Sequence, residues 1–191
     1  MAAEHAAPTP WTPTRLNLAA AGGKSVPDLV RPGLKVLFCG INPGLYSAAV
    51  GHHFARPGNR FWPTLYAAGF TDRVLSPFEE RRLLDLGYGI TNIGDRATAT
   101  ADELTIEELL AGARLVAKKL RRYRPAFAAF VGITAYRTAF GRKQARLGRQ
   151  GETIGDSALW VLPNPSGLNA HYNRADFARL FRELRLAAEA S

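Results

Sequence analysis

Short apolar runs that stop at glycine, asparagine or proline, alternating with helix-forming sequence, constrain this chain more than any other feature. Residues 34–39 form such a run, stopped by Gly40. Residues 89–92, 126–131 and 158–162 repeat the pattern, and the last two stop at Gly132 and Pro163. Apolar runs of this length are the mark of strands buried on both faces. Helical spacing fills the intervals. Residues 59–68 put Phe61, Leu65 and Ala68 on one side. Pro77 suits the first turn of a helix reaching Leu86, with Glu79 and Glu80 at its positive end. Thr105 and Glu108 make a capping-box pair before the stripe Ile106, Leu109, Leu110, Ala113, Val116 and Leu120, and Pro125 ends that helix. Residues 134–140 and 175–188 complete the series.

This alternation predicts an α/β fold, a three-layer α/β/α sandwich with a short, mostly parallel central sheet. At 191 residues the chain can bury a full core without disulfides or metals. Residues 1–30, rich in Ala, Pro, Thr and Gly, are expected to be a flexible N-terminal tail on a domain spanning 31–191. Within the tail, Val26, Val30 and the Pro10-Trp11 pair offer apolar surface for docking.

Composition narrows the function classes. The single cysteine, Cys39, lies inside an apolar run, so it can build neither a disulfide framework nor a cysteine metal site. A reducing compartment, the cytoplasm, is expected, with association to the nucleoid if the partner is DNA. No apolar stretch approaches the ~20 residues that span a bilayer, and no secretory signal pattern opens the chain. The net charge of +9 favours a polyanionic partner, of which nucleic acid is the commonest.

In parallel α/β folds the ligand site lies beyond the carboxyl ends of the strands. Two loops rich in Gly, Pro and Asn fall there. The first is Gly40-Ile41-Asn42-Pro43-Gly44. Its glycines let the backbone approach a ligand closely, and Asn42 offers an acceptor and a donor that do not titrate. Asn-Pro-Gly is also an ordinary turn. The second loop is Asn164-Pro165-Ser166-Gly167-Leu168-Asn169. An exposed leucine there would serve as a wedge between base pairs, and a leucine tucked into the core is the alternative. Between the two loops, Phe54 can stack on an extruded base while Arg56 and Arg60 hold phosphates; Phe61 and Trp62 fall on the following helix and belong to the core.

Together these segments resemble the mismatch-specific uracil-DNA glycosylases, the bacterial branch of the uracil/thymine-DNA glycosylase family. The resemblance is carried by residues 38–45, by Phe54-Ala55-Arg56-Pro57 with Asn59-Arg60-Phe61-Trp62, by residues 69–73, by Asp95-Arg96 and by residues 160–168. It implies a glycosylase domain over residues 31–191 that acts as a monomer on double-stranded DNA, with no membrane involvement and no metal or cofactor. By the same resemblance Asn42 positions the hydrolytic water. Ile41 and Gly44 contact the base through their backbone, Phe54 stacks on it, and Ser47 and Asn164 line the pocket. Ser166, Gly167, Leu168 and Asn169 enter the duplex or touch its backbone. Two positions depart from the family pattern. Asn169 and Ala170 stand where serine and arginine are common, and Asn92 stands where a lysine is common beside the pocket.

Two further expectations come from the residues themselves. Asp95 follows the strand at residues 89–92 by a short turn, so it is expected near Asn42, either as a second catalytic group or as a loop-shaping residue. The stretch 137–149 carries Arg137, Arg142, Lys143, Arg146 and Arg149 with no acid, and Arg142 and Lys143 are expected to contact phosphates. A non-catalytic mismatch-binding module would keep the basic surface and the wedge without needing the Asn42 loop. A nucleotide-processing enzyme would need a phosphate cradle, and residues 40–44 lack the P-loop lysine and hydroxyl pair.

Overall fold

The computed structural model describes residues 11–167 and 169–191. Strands β1 (Val36–Gly40), β2 (Tyr88–Asn92), β3 (Phe127–Val131), β4 (Gly148–Ile154) and β5 (Ser157–Leu162) form one sheet in the order β2-β1-β3-β5-β4. β2, β1, β3 and β5 are parallel, and β4 runs antiparallel to β5 at the edge. The helices are α1 (Arg15–Ala19), α2 (Leu45–Val50), α3 (Phe61–Ala67), α4 (Arg82–Asp85), α5 (Ile106–Tyr123), α6 (Ile133–Phe140) and α7 (Arg174–Glu189).

Every residue of β1, β2 and β3 is buried, because helices cover both faces of the sheet. Side chains of a strand alternate between faces, so β1 serves two cores. Val36 and Phe38 join Ile90, Phe127 and Leu162 under α3 and α7, where Phe61, Leu65, Phe177, Phe181 and Leu184 meet them. Leu37 and Cys39 join Ala128, Phe130 and Val161 under α5 and α6, against Leu109, Val116, Leu120 and Tyr136. The three-layer α/β/α reading therefore holds. Burial also pushes the Cys39 thiol well above its ordinary range, consistent with an inert core residue.

β4 and α2 had no clear sequence signal. β4 (Gly148–Ile154) is mostly polar, has no fully buried residue, and shifts register against β5 between Arg149 and Thr153. α2 starts inside the first Gly/Pro loop with Gly44 as an N-cap that has no side-chain hydrogen bond. The helix expected over residues 77–86 is instead a 3₁₀ turn, Pro77–Glu79, followed by the short α4. Bonds from Glu80 N–H to Pro77 O and from Leu83 N–H to Glu80 O tighten the path to a three-residue spacing.

The N-terminal expectation needs correction. Residues 1–10 lie outside the described residues, but from Thr14 onward the chain is folded onto the domain. Thr14 and Asn17 form a capping box for α1. Ala21 and Val26 pack with Ala48 and Ala97 in a small core of their own. Leu29 exchanges both backbone hydrogen bonds with Ile90, at 2.8 and 2.9 Å, on the outer edge of β2. Asp28 accepts from the Thr91 hydroxyl at 2.6 Å and pairs with Lys119 at 2.6 Å. An otherwise open strand edge selects this segment, a pressure that composition does not reveal.

Two capping carboxylates set an acid limit on stability. Arg73 and the Ser76 N–H hold Glu79 down to about 2, and Arg96 and the Thr105 N–H do the same for Glu108. Their folded values lie below the ordinary 4.5, so the unfolded chain binds the extra protons. Their contribution is complete above about 4.5 and is lost as pH falls towards 2. Thermal unfolding between pH 6 and 2.5 is expected to show a falling midpoint, with a shallower fall in Glu108→Gln. Equal slopes in the two proteins would exclude that pair as a source.

Candidate active site

The chain leaves β1 towards β2 on one side, and α5 then returns it across to β3 on the other. β1 and β3 therefore diverge at their carboxyl ends, the place where open α/β sheets bind ligands. A cleft of about 360 Å³ opens there, and its wall includes Ile41, Asn42, Phe54, Asn92, Val131 and Asn164. Gly40 and Asn92 end β1 and β2 in register. The loops that follow stay paired, with Ile93 N–H on Gly40 O at 2.9 Å and Gly94 N–H on Ile41 O at 2.8 Å.

That pairing brings residues 96–98 beside Asn42. The Asn42 Nδ2 donates to Arg96 O at 2.8 Å and to Thr98 Oγ1 at 2.7 Å. A backbone carbonyl only accepts, so the contact with Arg96 determines which end of the amide is NH₂. Thr98 Oγ1 gives its own proton to Thr100 O at 2.6 Å and is thus an acceptor towards Asn42. Both Asn42 donors are engaged by the protein. Its Oδ1 has no protein partner among the described residues and is the atom Asn42 can present to a molecule in the cleft. An amide oxygen accepts the O–H of a water without removing its proton.

Phe54 is the aromatic wall. Its φ of 51° is left-handed, a conformation that costs an L-residue about 1–2 kcal/mol. The neighbouring peptides hold it there: Ala55 N–H donates to Ser47 Oγ at 3.0 Å, and His53 N–H donates to Glu80 Oε2 at 2.9 Å. The indole of Trp62 donates to His53 O at 3.2 Å. The Phe54 ring stacks on Phe61 with centroids 4.0 Å apart and planes 21° from parallel. Opposite lies Asn92, only 6% exposed, whose side-chain amide has no hydrogen-bond partner among the described residues. Gly40 sits between these walls. A Cβ there would run into Asn92 Oδ1 and come within 3.3 Å of Phe54 Cζ.

His53, 2% exposed, also lines the cleft. Its Nε2 lies 3.0 Å from Pro27 O, so that nitrogen carries the proton and Nδ1 does not. Burial holds its pKa below the ordinary value despite the nearby Glu80, which keeps the ring neutral.

Several expected site residues thus meet in one place: Ile41, Asn42, Gly44, Ser47, Phe54, Asn164 and Ser166 all line the cleft. Asn164 Oδ1 accepts the Ser166 N–H at 3.0 Å and shapes the second loop. Gly167 lies against Gly58, and Leu168 falls outside the described residues. Asn169 is turned to the loop itself, donating to Asn164 O at 2.9 Å and accepting from His171 N–H at 3.1 Å.

Three expectations are not met in position. Asp95 is exposed and is absent from the cleft wall, because Arg96 rather than Asp95 turns back to pair with Glu108, at 2.7 Å. Arg60 points inward to backbone carbonyls instead of outward to phosphates. Arg142 is paired with Glu152 at 2.6 Å, because β4 folds an acid back onto a stretch that has none in sequence; Lys143 is exposed. Sequence reasoning missed His53 and the wall formed by residues 98–102. Their only signal was polar residues near a strand end, which is common to most loops.

The family model of the uracil DNA glycosylase superfamily matches residues 27–185. In fold the chain is similar to a solution NMR structure from Methanosarcina acetivorans, named as a candidate uracil DNA glycosylase. That likeness has a TM-score of 0.54 and 20% identity, and covers 85% of this chain and 98% of the other. The family match takes in the whole sheet and both loops around the cleft, and the chain belongs to the uracil DNA glycosylase superfamily.

Proposed function

We propose that the protein is a monofunctional DNA glycosylase of base-excision repair that hydrolyses the N-glycosidic bond of uracil mispaired with guanine in double-stranded DNA, leaving an abasic site. The observation that carries this reading is the enforced orientation of Asn42, which leaves its Oδ1 without a partner among the described residues in a cleft whose wall also includes Phe54 and Asn92. A uracil turned out of the duplex would stack on Phe54. Asn92 would meet its edge with one donor and one acceptor, as the alternating carbonyl and N–H groups of uracil require. Asn42 would orient the attacking water at the anomeric carbon without deprotonating it.

Bond cleavage then builds positive charge on the sugar and negative charge on the leaving base. Dipoles already aimed at the base oxygens stabilise the latter. A neutral His53 adds no charge to the part of the wall next to Phe54. Extrusion costs a few kcal/mol and least for poorly paired bases, which favours G·U over A·U and extends to mispaired thymine or modified pyrimidines. Exposed Arg56 and Lys143 supply positive charge near the rim and on the basic face for the phosphate backbone.

The test is single-turnover release of base from a labelled duplex with one G·U pair, beside A·U and single-stranded uracil. Uracil release fastest from G·U is the expected result. Tight mismatch binding without base release at enzyme excess would replace this reading with the non-catalytic mismatch module.

A further inference from the structure

Arg60 lies at the N-terminus of α3, yet its side chain is directed into the protein beneath the second loop. Its guanidinium donates to Ser166 O at 2.7 Å, Asn169 O at 2.6 Å and Tyr172 O at 2.8 Å. The carbon of the guanidinium sits 4.4 Å above the Phe177 ring, which α7 anchors in the core. The Arg60 backbone N–H donates to Pro165 O at 2.9 Å. Nε is buried without a partner, and Arg60 makes no ion pair among the described residues. The charge is therefore balanced by carbonyl dipoles and a ring face alone. From the other side, a Cβ on Gly167 would come within 2.7 Å of Gly58 O, so the two loops are in direct backbone contact.

We propose that Arg60 is a positioning residue that clamps the second loop on both sides of position 168, so that the loop meets DNA already ordered. The proposal rests on the glycosylase reading above, with the loop as the part that enters the duplex. A loop ordered beforehand does not lose conformational freedom at the moment of insertion. The planar fork is essential, since three carbonyls converge on two terminal nitrogens. An ammonium has the charge but cannot span that arrangement.

The experiment compares wild type, Arg60→Lys and Gly167→Ala in two measurements. Hydrogen exchange of the free proteins is read over residues 164–172. Single-turnover cleavage is read on uracil in a G·U pair and on uracil already extruded in a single-base bulge. Both variants are expected to exchange faster in this loop. Cleavage of the paired uracil should fall about 10²-fold, against a slight fall for the bulged one. Unchanged exchange, or equal losses on both substrates, overturns the clamp. If Arg60→Lys fails to fold, Arg60→Gln carries the test of the clamp, and Gly167→Ala reads the loop's separate backbone contact with Gly58 without touching the Phe177 packing. If the wild type releases uracil from neither substrate, the glycosylase reading fails while the exchange result still decides the clamp.

Discussion

Asn42→Ala is expected to lower single-turnover uracil release by about 10²–10⁴-fold while duplex affinity stays nearly unchanged. The side chain is not a phosphate contact, so its loss removes a water-orienting acceptor and leaves the cleft open. The hydrogen bonds around it extend the prediction. Asn42→Asp keeps the shape but turns a carboxylate oxygen towards Arg96 O, where the amide donates at 2.8 Å. Two acceptors repel at that distance, so this variant should also be impaired at neutral pH. Thr98→Val removes one of the two restraints and keeps the Arg96 contact, so a smaller loss is expected. Cleavage rates with enzyme in excess, measured beside binding of a non-cleavable uracil analogue, separate these effects. Full activity in Asn42→Ala would remove this residue from the mechanism.

Gly40→Ala should be nearly as damaging, for a steric reason. The added methyl would occupy the space of Asn92 Oδ1 and press on Phe54 Cζ at 3.3 Å, so both walls of the slot must move. Overpacking of this kind typically costs about 1–3 kcal/mol of stability, and misplacing a bound substrate by about 1 Å costs on the order of 10²-fold in rate. The two consequences can be separated by pairing the change with Asn92→Ala. The double variant should regain much of the stability lost by Gly40→Ala, because the clash partner has gone. It should not regain activity, because the group facing the base edge has gone as well. Additive stability effects across this cycle would show that Gly40 and Asn92 do not interact. A Gly40→Ala protein with normal kinetics would mean that the base does not bind between Phe54 and Asn92.

The parallel strands of the sheet were legible because their chemistry is local. Strands buried on both faces must be apolar throughout, so residues 34–39, 126–131 and 158–162 announce β1, β3 and β5 within a residue or two. The Thr105/Glu108 capping box announces α5 in the same way. The loops at the carboxyl ends of those strands were legible too, because a parallel sheet dictates where its ligand site lies. Asn42 could therefore be placed at the site from its position in the chain, whereas Phe54 was assigned to it by the family resemblance.

What sequence could not supply is the set of contacts made between segments far apart in the chain. Whether a charged side chain faces solvent, DNA or the protein depends on which acceptors tertiary folding brings within reach. Arg60 reads as a phosphate contact until residues 166–172 arrive from more than 100 positions away to receive it. Arg142 reads as free until β4 turns Glu152 back onto it. Asp95 and Asn42 are adjacent in topology, yet only the paired path of the two loops shows that Asn42 reaches the cleft and Asp95 does not. The segment before β1 belongs to the domain because β2 leaves an edge that Leu29 can pair, and no composition rule predicts that an edge will be open. Burial periodicity is written residue by residue along the chain; hydrogen-bond partnership between distant polar groups is decided only when the chain closes on itself.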